Sequence, residues 1–264
     1  MSAGDRWAVI TGASSGIGRA LAREFAAGGF NLLLSGRNEV ALSQVAQECN
    51  REFKVATESV PAELSDSDAT DKLIAAILGQ SRRYEVLVNN AGFAVHGRFS
   101  ETRIESEVDL VSVQLAAALK LTKAVLPGMI ERRGGRILNV GSVYCYSPVP
   151  FQSVYSACKA FLLSFSAAIR SELSGTGVTV TVFCPGITQT EFRSRAGIAE
   201  KNKSSGMTAE AAARIAFRET MRGSAVVVPG LPNKLFVIVA KILPNSVFTG
   251  IVRYINRLRG QKHG

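Results

Sequence analysis

Three side chains that could move a proton lie close together in the middle of the chain. Tyr155 and Lys159 are four residues apart in Ser153 to Leu173, a segment with helical spacing, and therefore share one face. A phenol titrates near pKa ~10, and a nearby ammonium group favours the phenolate. We therefore expect Lys159 to lower the pKa of Tyr155 and make it a general acid/base. Ser142 follows a short apolar run, where its hydroxyl could bind a substrate oxygen or simply form a turn.

A glycine-rich segment follows the first apolar run, reading TGASSGIG from residue 11 to residue 18. Glycines at 12, 16 and 18 allow a tight turn and a close approach of the backbone to a ligand. The N–H groups at the start of the next helix would point at that ligand, so a pyrophosphate fits there. The spacing differs from the general GxGxxG dinucleotide pattern, and a tight turn without a ligand is the alternative.

The end of the second apolar run bears on the choice of nucleotide. It reads LSGRN from residue 34 to residue 38, without the carboxylate that often binds the ribose 2′-hydroxyl of NAD. Arg37 can instead pair with a 2′-phosphate through its planar guanidinium group. This favours NADP (NADPH) over NAD, and a solvated arginine is the alternative.

Taken together in chain order, these motifs resemble the short-chain dehydrogenase/reductase family over about residues 6 to 230. The motifs are TGASSGIG, Asn89-Asn90-Ala91-Gly92, Ser142, Tyr155-Ser156-Ala157-Cys158-Lys159 and Pro185-Gly186. The resemblance implies an oxidoreductase that transfers a hydride between NADP(H) and a carbonyl or secondary alcohol. It also implies that Tyr155 is the catalytic acid/base, that Lys159 holds the nicotinamide ribose and tunes Tyr155, and that Ser142 orients the carbonyl.

The resemblance further implies which residues surround the cofactor. Asn90, Ala91 and Gly92 would line the adenosine side, while the Thr188 backbone and the Thr190 hydroxyl would hold the carboxamide end. The full expected set is Gly12, Ser14, Ser15, Gly16, Ile17, Gly18, Arg37, Leu64, Asn90, Ala91, Gly92, Tyr155, Lys159, Pro185, Gly186, Thr188 and Thr190.

Three positions depart from the family pattern. Gln114 stands where the family has an asparagine that carries a water for proton relay, which puts the relay in question. Glu63 aligns with an adenine-contacting aspartate. Ser14 or Ser15 occupies the place of a basic residue found in NADP-preferring members, so Arg37 would bind the 2′-phosphate largely alone.

The elements that must position these residues alternate along the chain. Short runs rich in Val, Leu and Ile predict strands at Trp7–Thr11, Asn31–Ser35, Phe53–Val60, Val86–Asn89, Arg136–Val140, Val178–Cys184 and Ala225–Val228. Amphipathic spacing predicts helices at Gly18–Ala27, Asn38–Glu48, Asp66–Leu78, Glu105–Glu131, Ser153–Leu173 and Thr208–Met221. This alternation predicts an α/β fold: one doubly wound Rossmann-type domain, residues 1–230, with a seven-stranded parallel sheet. Ile187 to Met207 is interpreted as a flexible polar insertion.

Composition excludes several classes of protein. A chain of 264 residues that is 47% hydrophobic fits one α/β domain. The four cysteines have no CxxC spacing and there are two histidines, so we expect no metal site. Free buried thiols indicate a reducing, cytoplasmic location. Met1 to Trp7 lacks the apolar run of a signal peptide, and we expect no membrane-spanning window.

The C-terminal segment, residues 231–264, is interpreted as a basic helical extension on or near the substrate cleft. No acidic residue follows Glu219, and seven basic residues do: Arg222, Lys234, Lys241, Arg253, Arg257, Arg259 and Lys262. One amphipathic helix is expected, with its apolar face formed by Val247, Phe248, Ile251, Val252, Ile255 and Leu258. We favour a packing or dimer element that closes the cleft over weak contact with a membrane surface. Nucleic-acid binding is not expected because aromatic residues are scarce there.

Apolar residues near the motifs predict a lipophilic or aromatic ketone or aldehyde as substrate. They are Phe93, Val95, Val143, Tyr144, Tyr146 and Val149. The resemblance implies a homodimer or homotetramer with the Ser153–Leu173 helix in an interface. Two alternatives stay open: a non-catalytic NADP(H)-binding sensor or scaffold, and a peripheral membrane enzyme that reduces lipid carbonyls.

Overall fold

A parallel sheet forms the centre of the protein in the computed structural model, which describes residues 6–80, 82–198 and 206–258, with side chains up to residue 254. Within these ranges seven strands belong to it: β1 (Arg6–Thr11), β2 (Asn31–Gly36), β3 (Thr57–Pro61), β4 (Arg83–Asn89), β5 (Gly135–Val140), β6 (Val178–Phe183) and β9 (Val226–Val227). Their spatial order is β3-β2-β1-β4-β5-β6-β9. The chain reverses direction across the sheet between β1 and β4, where open α/β folds have a ligand crevice.

Helices cover both faces of this sheet, as the sequence pattern predicts. They are α1 (Gly16–Ala27), α2 (Glu39–Phe53), α3 (Ser67–Leu78), α4 (Ile104–Val111), α5 (Ala117–Glu131), α6 (Ser153–Glu172), α7 (Phe192–Arg195), α8 (Ala209–Arg222), α9 (Leu231–Ile242) and α10 (Asn245–Leu258). Two further short strands, β7 (Thr188–Gln189) and β8 (Met207–Thr208), pair with each other. The expected α/β class, with its seven-stranded parallel Rossmann-type sheet, is confirmed.

The two sides of the sheet bury separate apolar cores. Ala8 and Ile10 of β1 pack with α1, α2 and α8, whereas Trp7 and Val9 pack with α3 and α5. Successive side chains of a strand point to opposite faces, so a strand covered on both faces must be apolar throughout. This requirement explains why the strands appear in the sequence as continuous apolar runs.

The expected strand from Phe53 to Val60 is wrong in its first half. Helix α2 continues to Phe53, and Lys54 ends it in the left-handed conformation with φ of 58°. The strand begins only at Thr57. The apolar residues of α2 recur at helical spacing, and Phe53 packs partly against the same core, so helical packing overrides the β propensity of the run.

The expected helix from Glu105 to Glu131 is interrupted. Residues Ser112–Ala116 form one π-helical turn between α4 and α5, and Gln114 lies in that turn. By length and composition alone, the helix Ile104–Glu131 could cross a membrane, because an 18-residue window of it has a mean hydropathy of 1.4. The expectation that the chain has no membrane-spanning window is therefore corrected. The residues Leu121, Val125 and Met129 of this helix are buried in the core beneath the sheet, so it is a core helix of this fold.

The C-terminal segment contains two helices where one is expected. Leu243 has an extended backbone after α9, and α10 begins at Asn245. Helix α9 packs through Phe236 near Tyr144, with 6.3 Å between the ring centroids. Arg259 and Lys262, together with the side chains of Ile255, Arg257 and Leu258, lie outside the description. The division of the chain at residue 230 stays a prediction.

Candidate active site

One cleft of about 830 Å³ opens at the carboxyl ends of the central strands. The segments that follow β1, β2, β4, β5 and β6 line it, together with α6. The expected catalytic and cofactor-binding residues all border this cleft: Gly12, Ser14, Ser15, Gly16, Ile17, Gly18, Arg37, Leu64, Asn90, Ala91, Gly92, Ser142, Tyr155, Lys159, Pro185, Gly186, Thr188 and Thr190. The structure therefore brings together motifs that span almost 180 positions of the sequence.

The glycine-rich turn forms a cradle that a side chain would fill. Gly12 has φ of 64° and Gly16 has φ of 54°, both in the left-handed region. A Cβ atom on Gly18 would lie 2.0 Å from the carbonyl oxygen of Gly12, which leaves no room for one. The Asn90 amide donates to the carbonyl oxygens of Thr11 and Gly12, at 2.9 and 3.2 Å, and so holds the turn in place.

The N-terminus of α1 faces this cradle. Ser15 is its N-cap, its side chain makes no capping hydrogen bond, and the first turn of α1 contains no acidic residue. Gly16, Ile17 and Gly18 of the first turn all line the cleft. Backbone N–H groups and the positive end of the helix dipole make such a site suitable for a diphosphate. The residues present therefore fit a dinucleotide.

Thr11 is a structural residue of the site that the sequence motifs did not single out. Its hydroxyl donates to the carbonyl oxygen of Val88 at 3.1 Å and accepts from the N–H groups of Asn90 and Ala91. Asn89 donates to Asn139 of β5 at 2.8 Å. These bonds tie the ends of β1, β4 and β5 together, so the Asn89–Gly92 motif does steady the sheet at the cleft floor.

Arg37 lies at the exit of β2 and pairs with Glu63 at 3.4 Å. Both side chains are exposed, which limits the strength of the ion pair. Glu63 also accepts a hydrogen bond from the backbone N–H of Ser65, at 3.2 Å. The carboxylate of Glu63 is thus engaged with Arg37 and with its own turn, while Leu64 is buried beside it.

Tyr155, Lys159 and Ser142 converge at the inner end of the cleft. Tyr155 and Lys159 are both buried on α6, and the Lys159 Nζ lies 5.5 Å from the centre of the Tyr155 ring. Ser142 caps the short turn after β5 by accepting from the N–H of Tyr144 at 3.2 Å. The Ser142 hydroxyl beside Tyr155 favours a lower pKa for the phenol. The predicted geometric convergence is present.

The pKa of Tyr155 was expected to be lowered by Lys159, but in the folded protein it is raised. Burial raises the pKa of Tyr155 above its ordinary value of 10, and this effect exceeds the lowering by Ser142. Burial also lowers the pKa of Lys159 to about 8. The Nζ donates to the carbonyl oxygen of Val140 at 2.8 Å. Desolvation penalises both charged forms, so the phenol keeps its proton at neutral pH and is suited to donate it.

Gln114 does not line the large cleft but a small enclosed cavity behind it. Its Nε2 donates to the carbonyl oxygen of Phe93 at 2.8 Å, and within the described part of the chain its buried Oε1 has no partner. The cavity has a volume of about 10 Å³ and is also lined by Asn89 and Lys159. This volume is close to the lower limit for one water molecule, and the unpartnered oxygen is a suitable acceptor for it.

The substrate end of the cleft is apolar but differs in part from the expected set. Phe93, Val143 and Tyr144 line it. The structure places Val95 against the Tyr155 cluster and Tyr146 against Cys145 and Cys184. Neither they, nor Val149, nor His96, which lies near Phe151, borders the cleft as described.

The segment after Pro185–Gly186 contributes residues that the sequence analysis missed. The interpretation of Ile187 to Met207 as an insertion is corrected for residues 187–198, which fold over the cleft as β7 and α7. The Arg195 guanidinium lies 3.4 Å from Ser15 Oγ and pairs with Glu191 at 2.5 Å. Two arginines shortly after Thr190, Arg193 and Arg195, were the available signal.

The four cysteines are buried and free of disulfide bonds, as expected. Cys158 is buried in one apolar cluster with Leu110, Ala94 and Tyr155. Cys145 and Cys184 lie with their sulfur atoms 3.8 Å apart behind Ser142.

Comparison with known proteins agrees with the site geometry. The model of the short chain dehydrogenase family matches residues 6–201. Dehydrogenase/reductase SDR family member 7B of Xenopus laevis is 32% identical over 255 residues, which cover 91% of this chain and 79% of that protein. Very-long-chain 3-oxoacyl-CoA reductase of Laccaria bicolor is 41% identical over 178 residues, which cover 66% of this chain and 52% of that protein.

A solved structure extends the similarity to the whole fold. A short-chain dehydrogenase from Sphingobium yanoikuyae, in complex with NADPH, superposes with a TM-score of 0.81 at 29% identity. The match covers 97% of this chain and 96% of that one.

The cradle predicts that Gly18→Ala weakens NADPH binding. The new Cβ would meet the Gly12 carbonyl oxygen, so the turn must shift, and we expect the dissociation constant to rise about tenfold or more. Fluorescence titration with NADPH measures it. Gly250→Ala is the matched control, since a Cβ there meets nothing within 4 Å. Equal affinity in wild type and Gly18→Ala would contradict the cradle.

The burial of Lys159 predicts a pH-dependent stability. Its pKa of about 8 in the folded protein lies below the ~10.4 of an unfolded chain, so the unfolded chain binds more protons between these values. The free energy of unfolding of wild type, relative to Lys159→Met, should rise by roughly 2 kcal/mol from pH ~7 to ~10. Urea denaturation at several pH values measures it. The control is Lys72→Met, because Lys72 is exposed. If the difference in free energy of unfolding between wild type and Lys159→Met does not change with pH, the pKa of Lys159 is not lowered.

Proposed function

This chain belongs to the short-chain dehydrogenase/reductase family, and we propose that it is an NADP(H)-dependent reductase of lipophilic or aromatic ketones and aldehydes. The reverse oxidation of secondary alcohols uses the same groups. The observation that carries the proposal is the convergence of the Tyr155, Ser142 and Lys159 side chains at the inner end of the dinucleotide cleft.

Each of these residues has a separate task in the proposed reaction. Bound NADPH supplies the hydride. The Ser142 hydroxyl holds the carbonyl oxygen of the substrate, and Tyr155 donates its phenolic proton to that oxygen as the alcohol forms. A buried phenol with a raised pKa is protonated at neutral pH, so the donor is in the correct state when the reduction begins. Lys159 fixes the position of this face of α6 through the Val140 carbonyl oxygen. It would also hold the nicotinamide ribose of a bound cofactor.

Proton resupply to Tyr155 involves Lys159 and Gln114 in this proposal. Both line the small cavity behind the cleft, and the free Oε1 of Gln114 can accept a hydrogen bond from a water there. Gln114 lies in the π-helical turn at Ser112–Ala116. Gln114 thus takes the relay position without entering the substrate space.

The preference for NADP over NAD rests on the exit of β2. Arg37 borders the cleft there, and β2 ends in Ser35 and Gly36, with no carboxylate to repel a 2′-phosphate. Glu63 holds the Arg37 guanidinium at the cleft edge but also brings one negative charge close, so the preference is modest. The NADPH in the Sphingobium yanoikuyae neighbour supports the same choice.

The apolar lining supports a lipophilic substrate. Phe93, Val143, Tyr144 and Phe192 border the space beside Tyr155. The relative from Laccaria bicolor acts, by its name, on very-long-chain acyl thioesters, which is consistent with an apolar site. We place the protein in the cytoplasm on the basis of its four free, buried cysteines.

Self-association is part of the proposal. Ile104 and Val108 of α4 and Phe161 of α6 expose apolar surface, and α4 and α6 contact each other. Burying this surface against a second copy would form a homodimer through α6, and a homotetramer requires one further interface.

The proposed mechanism predicts that Tyr155→Phe abolishes most of the turnover. Loss of the phenolic proton donor should lower kcat for a ketone by ~100- to 10,000-fold, while the dissociation constant of NADPH stays near the wild-type value. Steady-state NADPH oxidation and fluorescence titration give the two quantities. Tyr146→Phe removes the hydroxyl of a nearby tyrosine outside the cleft and should change neither. A Tyr155→Phe enzyme as fast as wild type would exclude this mechanism.

The cofactor assignment predicts a selective loss in Arg37→Gln. We expect the affinity for NADPH to fall about tenfold while that for NADH is unchanged, because only NADPH carries the 2′-phosphate and the guanidinium is partly screened. Arg51→Gln, on the exposed end of α2, is the control. If the affinities for NADPH and NADH fall by the same factor, Arg37 is not the residue that binds the 2′-phosphate.

A further inference from the structure

The C-terminal helices expose apolar side chains at regular helical spacing. On α9, five such side chains are between 40 and 78% exposed: Leu231, Leu235, Ile238, Val239 and Ile242. Their spacing places them on one stripe of the helix. Val237 and Ala240 on the opposite face are buried. Helix α9 is therefore seated on the protein through one apolar face and presents a second one to solvent.

Helix α10 repeats this arrangement. Val247, Ile251 and Tyr254 follow one another at spacings of four and three residues and are between 45 and 63% exposed. Phe248 is buried and packs edge-to-face on Phe236 of α9, with ring centroids 5.5 Å apart. The inner faces hold the two helices together, so both outer stripes stay exposed. We define these eight exposed side chains of α9 and α10 as the C-terminal apolar surface.

The charges around this surface have one sign. No acidic residue occurs after Glu219, whereas seven basic residues do. Lys234 and Lys241 are exposed on α9, and at 100° per residue both fall along one edge of its apolar stripe. Arg253 is exposed on α10 beside Tyr254. An apolar stripe bordered by lysine and arginine is typical of helices that lie in the interface of an anionic bilayer.

We propose that the C-terminal apolar surface docks this protein on a membrane surface rich in anionic lipids. Leucine, isoleucine and valine side chains would enter the boundary between headgroups and acyl chains, and Lys234, Lys241 and Arg253 would contact the headgroups. An exposed apolar area of this extent needs an occupant. The docking does not depend on the proposed reductase activity, so either one can fail without the other.

Charge argues against a second copy of the chain as the occupant. A two-fold contact places the same patch of both subunits together, so the lysines bordering one stripe would approach those of the other. The segment from residue 220 onward has no acidic side chain that could neutralise them. Anionic headgroups supply the missing negative charge.

The surface lies on the outer side of α9, and the inner side of α9 packs against a residue that lines the substrate end of the cleft. Phe236 on the inner side of α9 is 6.3 Å from Tyr144, which lines the cleft, and Asn233 adjoins Gly186. One helix diameter, roughly 10 Å, therefore separates the proposed lipid contact from the cleft. A membrane-dissolved substrate would have a short path to the site.

Vesicle flotation of the full chain tests the proposal. We expect the wild type to float with phosphatidylcholine vesicles that contain phosphatidylserine and much less with phosphatidylcholine alone, and flotation to weaken with added salt. Leu235→Glu with Ile238→Glu should lower the partition coefficient at least tenfold. Lys234→Gln and Lys241→Gln should each lower it about fivefold. Leu78→Glu and Lys72→Gln, exposed on or at the end of α3, are the matched controls and should leave it unchanged.

NADPH titration of each variant separates a docking defect from a folding defect. If the double glutamate variant loses NADPH binding, flotation of the single variant Ile238→Ser tests the proposal instead. The proposal is overturned if the wild type does not float, or if the α3 controls reduce flotation as much as the α9 variants. It is also overturned if light scattering shows that Ile238→Ser dissociates an oligomer while flotation is unaffected, because the surface would then bind a second copy.

Discussion

The buried hydrogen bond from Lys159 to the carbonyl oxygen of Val140 is the contact on which the site depends. It joins α6 to the end of β5, and this places Tyr155, on α6, beside Ser142, which follows β5. Removing an ammonium group from water is costly, and this cost appears as the lowered pKa of Lys159. The position of the buried Lys159 ammonium group determines where the phenol and the serine hydroxyl meet.

The ends of the sheet strands position the rest of the site. Parallel strands end at one edge, so residues far apart in sequence meet there without long connections. Thr11 and the asparagines at the ends of β4 and β5 join these strand ends through buried hydrogen bonds. The glycine turn can then approach Asn90 closely, with no Cβ between them. Cofactor cradle and proton donor are held rigidly on the same edge, which is the arrangement that hydride transfer requires.

Much of this could be predicted from the sequence, and the remainder could not for physical reasons. Strand cores and the Tyr155–Lys159 face follow from periodicity, which depends only on local geometry. The end of α2 at Phe53 could not be predicted in this way, because tertiary packing determines where this helix ends. The direction in which the Tyr155 pKa shifts could not be predicted either. The sequence shows a neighbouring cation, but only the fold shows how completely both groups are buried. Arg195 was missed because its partner, Ser15, is 180 positions away.

One face of α9 packs against Tyr144, which lines the cleft, and the opposite face of α9 is apolar and exposed. The central claim is that the cleft is a working reductase site. Its most direct test is a screen of aliphatic, aromatic, sugar and steroid-like ketones with the purified wild-type protein, following the absorbance of NADPH. The account predicts consumption of NADPH, matched by alcohol formation, with at least one lipophilic ketone. Tight NADPH binding without turnover of any carbonyl compound would contradict it and indicate a sensor or scaffold.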